Sequence, residues 1–284
     1  MQNASVYKIV PMNRKAFLRK GFRILGVVTA GGMFLPELVA SPVPKGKTVL
    51  RFALFSDGHY GQKNTDFEGF YGQMVGWLNA EKNERGLHFV AFNGDLFHDD
   101  PSVIPALKTE LSKLDMPWYP SHGNHDRIDE PGWEKAFGYP YNYVVEKKEA
   151  AFIFLNTADE KGTYINEPVG WMQAQLKRLG TQQPLYIIMH ITPFKWTGAG
   201  LPHPEMVKLF AAQPNIKAIF HGHDHDEDGW KTDQGKNYFF DGHFGGSWGL
   251  EYKGYRVVEL DEEGNTWLYQ YNPSVAKTVN EYRL

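Results

Sequence analysis

Histidine and aspartate are concentrated in the segment 221–230, which reads HGHDHDEDGW. The segment follows an apolar run, residues 216–220, that is typical of a buried strand. A polar turn exposed to solvent is the simplest interpretation. The alternative is a metal site, because His223 and His225 offer imidazole nitrogens, which are common metal ligands. The answer depends on whether the rest of the chain supplies further ligands.

Polar clusters also follow four other apolar runs of the chain. The side chains of interest in these clusters are Asp57, His59, Asp95, His98, Asn124, His125, Asp126 and His190. Because sites in open α/β sheets form at the carboxyl ends of the strands, we expect these side chains to meet at one edge. The chain contains no cysteine, so the candidate ligand atoms are oxygen and nitrogen, a set that suits Mn, Fe, Zn or Co.

Strands and helices that would place these residues are predicted to alternate from residue 48 onwards. Strands are predicted at residues 49–55, 87–92, 117–120, 185–189 and 216–220, and a hairpin at 141–146 and 150–156. Helices are predicted near residues 67–78, 102–114 and 169–179, and the tail after residue 237 is predicted to be β-rich. The alternation favours α/β layers, and the β-rich tail favours a second sheet packed on the first.

Taken in chain order, the polar clusters resemble the motifs of the calcineurin-like metallophosphoesterase superfamily. The blocks are Asp57-x-His59, Gly94-Asp95-x-x-His98, Gly123-Asn124-His125-Asp126, His190 and Gly222-His223-x-His225. The resemblance covers residues 57–225. For the whole of residues 48–284 it implies a four-layer αββα sandwich, in which two mixed β-sheets are flanked by helices.

The resemblance also implies a dinuclear centre that hydrolyses a phosphomonoester or phosphodiester by a metal-activated hydroxide. One divalent ion would be held by Asp57, His59, Asp95 and His225. The other would be held by Asp95, Asn124, His190 and His223. The two ions would therefore share the Asp95 carboxylate.

The catalytic candidates that the resemblance implies lie beside these ligands. His125 would stabilise the phosphoryl oxygens or protonate the leaving oxygen as a general acid, and Asp126 would orient it. His98 is either a second acid or a packed histidine that supports the site.

Several neighbouring residues have more than one interpretation. Turn or supporting roles are expected for His122, His221, Asp224, Asp226 and Asp228. Candidate substrate contacts, which could equally be core, rim or ion-pair residues, are Tyr60, Arg127, Phe194, Lys195 and Trp196. The glycine-rich segment 241–248, with His243 and Trp248, is either a loop over the pocket or a plain connection between strands.

The charge balance bears on the partners. A net charge of −3 gives no signature of nucleic-acid binding, so we expect no nucleic acid. The resemblance implies a small phosphorylated substrate. Two alternatives stay open: a metal-bound protein of this fold without turnover, and a nuclease, since the segment 94–98 resembles the superfamily's DNA-repair nucleases. The presence of His125 and Asp126 argues against the first, and the lack of basic stripes argues against the second.

The N-terminal segment has the pattern of an export signal. Basic residues at 12–20 precede an apolar stretch at 24–35, and Ala40 ends a small-residue cleavage site. The string from Arg14 to Lys20 resembles the twin-arginine motif, with Met12 as an alternative start. We therefore expect residues 1–47 to be signal and linker, and the protein to be periplasmic or extracellular. The apolar stretch falls short of the roughly 20 residues of a membrane span, and an ordinary N-terminal helix or a membrane anchor is the alternative.

Overall fold

Two mixed six-stranded sheets form the centre of the structure, a computed structural model that describes residues 46–284. The predicted export signal, with most of its linker, lies outside the described residues. The strands in chain order are β1 (Thr48–Phe55), β2 (Phe89–Asn93), β3 (Trp118–Ser121), β4 (Tyr143–Glu146), β5 (Ala151–Leu155), β6 (Leu185–Met189), β7 (Ile216–His221), β8 (Trp230–Asp233), β9 (Lys236–Phe240), β10 (Tyr255–Asp261), β11 (Thr266–Asn272) and β12 (Lys277–Arg283). The helices are α1 (Phe67–Arg85), α2 (Ile104–Leu111), α3 (Glu130–Phe137), α4 (Val169–Leu179) and α5 (Pro204–Ala212).

The strand order is different in the two sheets, but both combine parallel and antiparallel pairs. The first sheet has the order β12-β11-β10-β1-β2-β3, and its β1, β2 and β3 are mutually parallel neighbours. The second has the order β4-β5-β6-β7-β9-β8, with parallel pairing from β5 through β9. The predicted hairpin is the antiparallel pair of β4 and β5.

Apolar side chains divide into three clusters that separate four layers. One cluster packs α1, α2 and α3 on the outer face of the first sheet. A second lies between the sheets, where the Phe52 ring stacks on Phe89 and meets the Phe152 ring edge-on. The third packs α4 and α5 on the second sheet. The predicted αββα sandwich is therefore confirmed.

Helix α1 shows how local sequence produces these layers. Its buried positions Tyr71, Met74 and Leu78 recur at helical spacing and face the first sheet. The Asp66 carboxylate accepts the Gly69 N–H at 3.1 Å and caps the start. Gly86 ends the helix at φ 78°, a conformation that glycine adopts without steric strain.

The structure departs from the predicted helices in three places. The predicted helix at 102–114 is a 3-10 turn, Pro101–Val103, followed by the shorter α2. Helices α3 and α5 were not predicted, because eight or nine residues that begin near a proline give too few turns for a clear periodicity. Within residues 46–284, no helix combines the length and the hydrophobicity that crossing a membrane requires.

Candidate metal centre

The predicted ligands converge because five parallel strands deliver them to one edge of the sandwich. The first sheet supplies Asp57 and His59 after β1, Asp95 after β2 and Asn124 after β3. The second sheet supplies His190 after β6 and the pair His223 and His225 after β7. The site is therefore built by both sheets together.

Three of these side chains, Asp57, His59 and His225, form what we call the first group. Their ligand atoms all lie within 4.8 Å of one another. The His225 Nε2 atom is 3.0 Å from His59 Nε2 and 3.1 Å from Asp57 Oδ1. All three side chains are buried, so the donors face each other and are screened from water.

The second group consists of Asp95, His190 and His223, with ligand atoms again within 4.8 Å of one another. The His190 Nε2 atom is 3.3 Å from Asp95 Oδ2. The same carboxylate oxygen is 3.7 Å from His59 Nε2 of the first group. Asp95 thus lies between the two groups, as a carboxylate shared by two cations must.

Each of the four histidines has one ring nitrogen held by a neighbour. The Nδ1 atoms of His190 and His225 bond the carbonyl oxygens of Asn93 and Trp248, at 2.7 Å and 3.1 Å. A nitrogen that bonds a carbonyl must carry a proton, so Nδ1 is the donor in both rings and Nε2 is the atom that faces the centre. Fixed tautomers of this kind are typical of histidines that bind metals.

The other two histidines are held by side chains. His59 Nδ1 lies 3.0 Å from His98 Nδ1, and His223 Nε2 lies 2.9 Å from the Tyr164 hydroxyl. His59 therefore presents Nε2 to the first group, and His223 presents Nδ1 to the second.

Unpaired donors show that the site fits metal ions. Within residues 46–284, the buried Asn124 Oδ1 and His190 Nε2 atoms form no hydrogen bond of normal geometry, although the Asp95 carboxylate lies 3.3 Å from His190 Nε2. A buried polar atom without a partner is destabilising and calls for an explanation such as an ion. Both atoms belong to the predicted ligand set, and the donors are the nitrogen and oxygen atoms that divalent transition metals accept.

The electrostatics favour charged carboxylates. Burial would raise the pKa of Asp57, but His225 and His190 beside it outweigh burial and hold the pKa below its usual value. Burial would also raise the pKa of Asp95, but His190 and His59 hold that pKa well below its usual range. Burial also lowers the pKa of His59 to about 3, which keeps that ring neutral. Charged carboxylates and neutral imidazoles are the metal-binding forms.

His190 is the exception among the rings. Burial would lower its pKa, but the Asp95 and Asp57 carboxylates raise it to about 10. The His190 Nε2 atom lies 3.3 Å from Asp95 Oδ2 and 3.8 Å from Asp57 Oδ1, so this ring faces both carboxylates.

The backbone around the site is strained. Eight non-glycine residues in the described part of the chain have a positive φ, and five of them are Asp57, His59, Asp95, Asp99 and His223. Such conformations cluster at functional sites, where the surrounding structure enforces them. Gly94, at φ 80°, allows the close approach of His190, because a Cβ there would clash with the imidazole ring.

His125 stands beside the centre and is oriented by Asp99. Its Nδ1 atom is 2.8 Å from Asp99 Oδ1, which also forms an ion pair with Arg127 Nε at 3.1 Å. This corrects the orienting role expected of Asp126. That carboxylate is buried and accepts the backbone N–H of Phe97 and of Gly123. Burial and the Asp95 charge raise the pKa of Asp126 to about 8.

His98 lies beside both His125 and the centre, and the centroids of His98 and His125 are each 5.0 Å from that of His59. Its ring stacks on His125 with centroids 4.5 Å apart, and its Nδ1 atom contacts His59. His98 therefore contacts the predicted ligand His59 directly, as expected of a histidine that supports the site.

The glycine-rich segment is a loop at the site. Trp248 stacks on His225 with centroids 4.2 Å apart and planes 9° apart, and its ring is 4.9 Å from that of His59. His243 supports the loop, since its Nε2 atom is 3.0 Å from the Leu250 carbonyl oxygen and its ring stacks on His225.

Other candidates have structural roles. Tyr60 is buried against the rings of Phe67 and Tyr71 and is a core residue, not a substrate contact. Phe194 and Trp196 stack on each other and pack against the second sheet. As expected, the buried rings of His122 and His221 bond protein atoms outside the two groups.

Asp99 and Tyr164 are the site residues that the sequence did not reveal. Asp99 adjoins a predicted block, but nothing in the string His98-Asp99-Asp100 tells which aspartate bonds His125. Tyr164 lies between β5 and α4, where the sequence has no periodic pattern.

Comparisons with known proteins agree with this geometry. Residues 50–227 match the sequence profile described as calcineurin-like phosphoesterase. No curated protein matches the chain by sequence.

Solved structures share the fold at low sequence identity. A dimetal phosphatase from Danio rerio is 13% identical with a TM-score of 0.67, and the match covers 84% of this chain and 99% of that one. A purple acid phosphatase from yellow lupin seeds is 12% identical with a TM-score of 0.65, covering 86% of this chain and 55% of that one.

Proposed function

Since this chain belongs to the calcineurin-like phosphoesterase family and is a metal-dependent phosphoesterase, we propose that it hydrolyses a small phosphate ester at the centre built around Asp95. One observation carries the proposal. The Asp95 carboxylate lies between two groups of metal-capable side chains, and the buried Asn124 Oδ1 atom has no hydrogen-bond partner within residues 46–284. The pair of His125 and Asp99 beside the ligands argues against the alternative of a metal-bound protein without turnover, because such a protein needs no acid there.

The ligand assignment follows the two groups. One ion would be held by the first group together with Asp95, and the other would be held by the second group together with Asn124. Two such ions, when bound, polarise a phosphoryl oxygen and lower the pKa of a water molecule.

His125 is proposed as the general acid. Because its Nδ1 atom is hydrogen-bonded to Asp99, its Nε2 atom is left to give a proton to the leaving oxygen. The Asp99 carboxylate stabilises the protonated ring, and Arg127 holds that carboxylate in place.

Leaving groups of different basicity test this role. An alkyl phosphate needs protonation of its leaving oxygen, whereas p-nitrophenolate leaves without it. His125→Ala should therefore lose about 10²–10⁴-fold in kcat on an alkyl phosphate, the usual range for a general acid, and far less on p-nitrophenyl phosphate. Asp99→Asn should lose less than His125→Ala, with the same selectivity. Equal losses on both esters would contradict the proposed role.

Bis(p-nitrophenyl) phosphate in the same assay decides between monoester and diester. The metals bound by the full chain are quantified in parallel by mass spectrometry. Fewer than two ions per chain after reconstitution would overturn the dinuclear assignment.

Export, a small substrate and the lack of a nucleic-acid partner are also proposed, on the sequence features alone. Cell fractionation of the expressed full chain and mass spectrometry of its N-terminus test the first. A cytoplasmic protein with an uncleaved N-terminus would contradict it. A DNA cleavage assay with the metal-loaded protein tests the last.

A further inference from the structure

A cleft of about 410 Å³ opens between the start of α1 and the glycine-rich loop. Phe70 lines it from the helix, and Trp248, Leu250 and Lys253 line it from the loop side. Its volume falls in the usual range of ligand pockets, roughly 300–1,000 Å³. None of these four side chains has a place in the ligand set or the proton transfer described above.

Trp248 connects the cleft with the metal centre. The indole contacts the rings of His225 and His59, and its centroid is 6.4 Å from that of His125. The same residue lines the cleft, and 44% of it is exposed. His225 covers one face of the indole, so the exposed area includes a flat apolar surface beside the proposed acid.

Lys253 provides a cation in the same cleft. Its Nζ atom lies 4.4 Å from the centroid of the Phe70 ring, and the residue is partly buried. In the described part of the chain no carboxylate forms an ion pair with it. Burial lowers the pKa of Lys253, since an ammonium loses hydration there. An anionic group entering the cleft would restore a partner to this charge.

We propose that the cleft binds the leaving group of the phosphate ester, and that this group is a planar aromatic ring with an anionic substituent. The ring stacks on Trp248 and the substituent pairs with Lys253. The inference rests on the proposed function, because the phosphoryl group must sit at the metal centre while the rest of the ester extends past Trp248. In the reaction, the bond from phosphorus to this group breaks, a water oxygen takes its place, and the released alcohol carries the proton.

Benzyl phosphate and cyclohexylmethyl phosphate form a matched pair for the ring. Both are esters of primary alcohols, and they differ in whether the ring is flat and aromatic. The wild-type protein should prefer benzyl phosphate by about 10-fold in kcat/KM, the size expected of one stacking contact. Trp248→Leu should bring the ratio near one, and Trp248→Phe should keep most of it.

The ratio separates substrate recognition from damage to the metal centre. A disturbed His225 would slow both esters equally and leave the ratio unchanged. The control is Trp230→Leu, because Trp230 has a similar exposed fraction, 42%, and lies on β8 outside the cleft. Equal rates on the two esters in the wild type, or an unchanged ratio in Trp248→Leu, would overturn the ring assignment.

The charged substituent is tested with 4-carboxybenzyl phosphate against benzyl phosphate. The wild type should prefer 4-carboxybenzyl phosphate over benzyl phosphate by about 10-fold in kcat/KM. Lys253→Met should lose this preference but should still prefer benzyl phosphate over cyclohexylmethyl phosphate. Absence of the carboxylate preference would overturn the role of Lys253.

Binding of non-hydrolysable phosphonates distinguishes failure of this inference from failure of the proposed function. Benzylphosphonate and cyclohexylmethylphosphonate are titrated by calorimetry into wild type and Trp248→Leu. If no ester is hydrolysed but the wild type discriminates the phosphonates through Trp248, the cleft stands and the proposed function fails. If both esters are hydrolysed and both phosphonates bind equally, the function stands and the cleft assignment fails.

Discussion

The two groups of the metal centre have similar donors but different surroundings. The first group is enclosed, because the Trp248 indole lies flat on His225 and contacts His59. The second group is more open, because its His223 is only partly buried whereas the three side chains of the first group are buried. Strand ends therefore set the donors, and the loops after the strands set how closely each group is shielded from water.

Asp95→Asn should have the largest effect, because it weakens the one carboxylate that the groups share. We expect loss of both ions and a fall in kcat/KM greater than about 100-fold, beyond the range for residues that only support a ligand. Metal content and p-nitrophenyl phosphate turnover measure the result. Asp226→Asn, at an exposed position near His225, is the control and should keep both ions.

Two variants that keep an aromatic ring at the substituted position should affect the two groups separately. Tyr164→Phe removes the hydroxyl that holds His223, and His98→Phe removes the nitrogen that contacts His59. Each should weaken one ion by about 10-fold and leave the other unchanged, as expected when the partner of a metal-binding histidine is lost. Calorimetric titration of the stripped variants measures both affinities. If both variants weaken the same ion, the assignment of partners is wrong.

Removal of the metal ions tests whether the two groups differ in their access to solvent. A chelator should remove the second ion before the first, in two kinetic phases, because the second group is nearer to solvent. The melting temperature should fall with each ion lost, since ligands that bind the native state stabilise it. Trp248→Ala should speed the slow phase by a few-fold. A single phase in the wild type would contradict unequal enclosure.

A buried carboxyl outside both groups should affect stability without affecting turnover. Burial raises the pKa of Glu167 to about 8, even though His203 Nε2 is 3.6 Å from its Oε2 atom. Asp57 and Asp95 are equally buried but are held charged by several histidines.

The raised pKa of Glu167 determines how the stability of the folded protein changes with pH. Between about pH 4.5 and about 8 the unfolded chain loses the proton that the folded protein keeps, so stability falls as the pH rises. Glu167→Gln removes this dependence and should be more stable than the wild type at pH 9, on the order of 2–4 kcal/mol. Urea unfolding at pH 5 and pH 9 measures it, with exposed Glu84→Gln as control. Equal slopes against pH in variant and wild type would contradict it.

Much of the fold could be predicted because its signals are local. Apolar runs such as Leu185–Met189 are buried along their full length, and the periodicity of Val169–Leu179 is that of helix α4. The four layers followed from the resemblance carried by the motifs. Helices α3 and α5 were not predicted because two turns supply too few apolar positions.

The candidate site, like the fold, could be predicted only in part. The amino-acid sequence alone shows which donors exist and that they lie at strand ends, because each follows a buried apolar run. The contacts that hold these donors in place are visible only in the folded structure. Tyr164 meets His223 across 59 residues, and Asp99 rather than Asp126 orients His125. Such contacts depend on loop conformation and on the packing of one sheet against the other, and neither leaves a periodic pattern in the sequence.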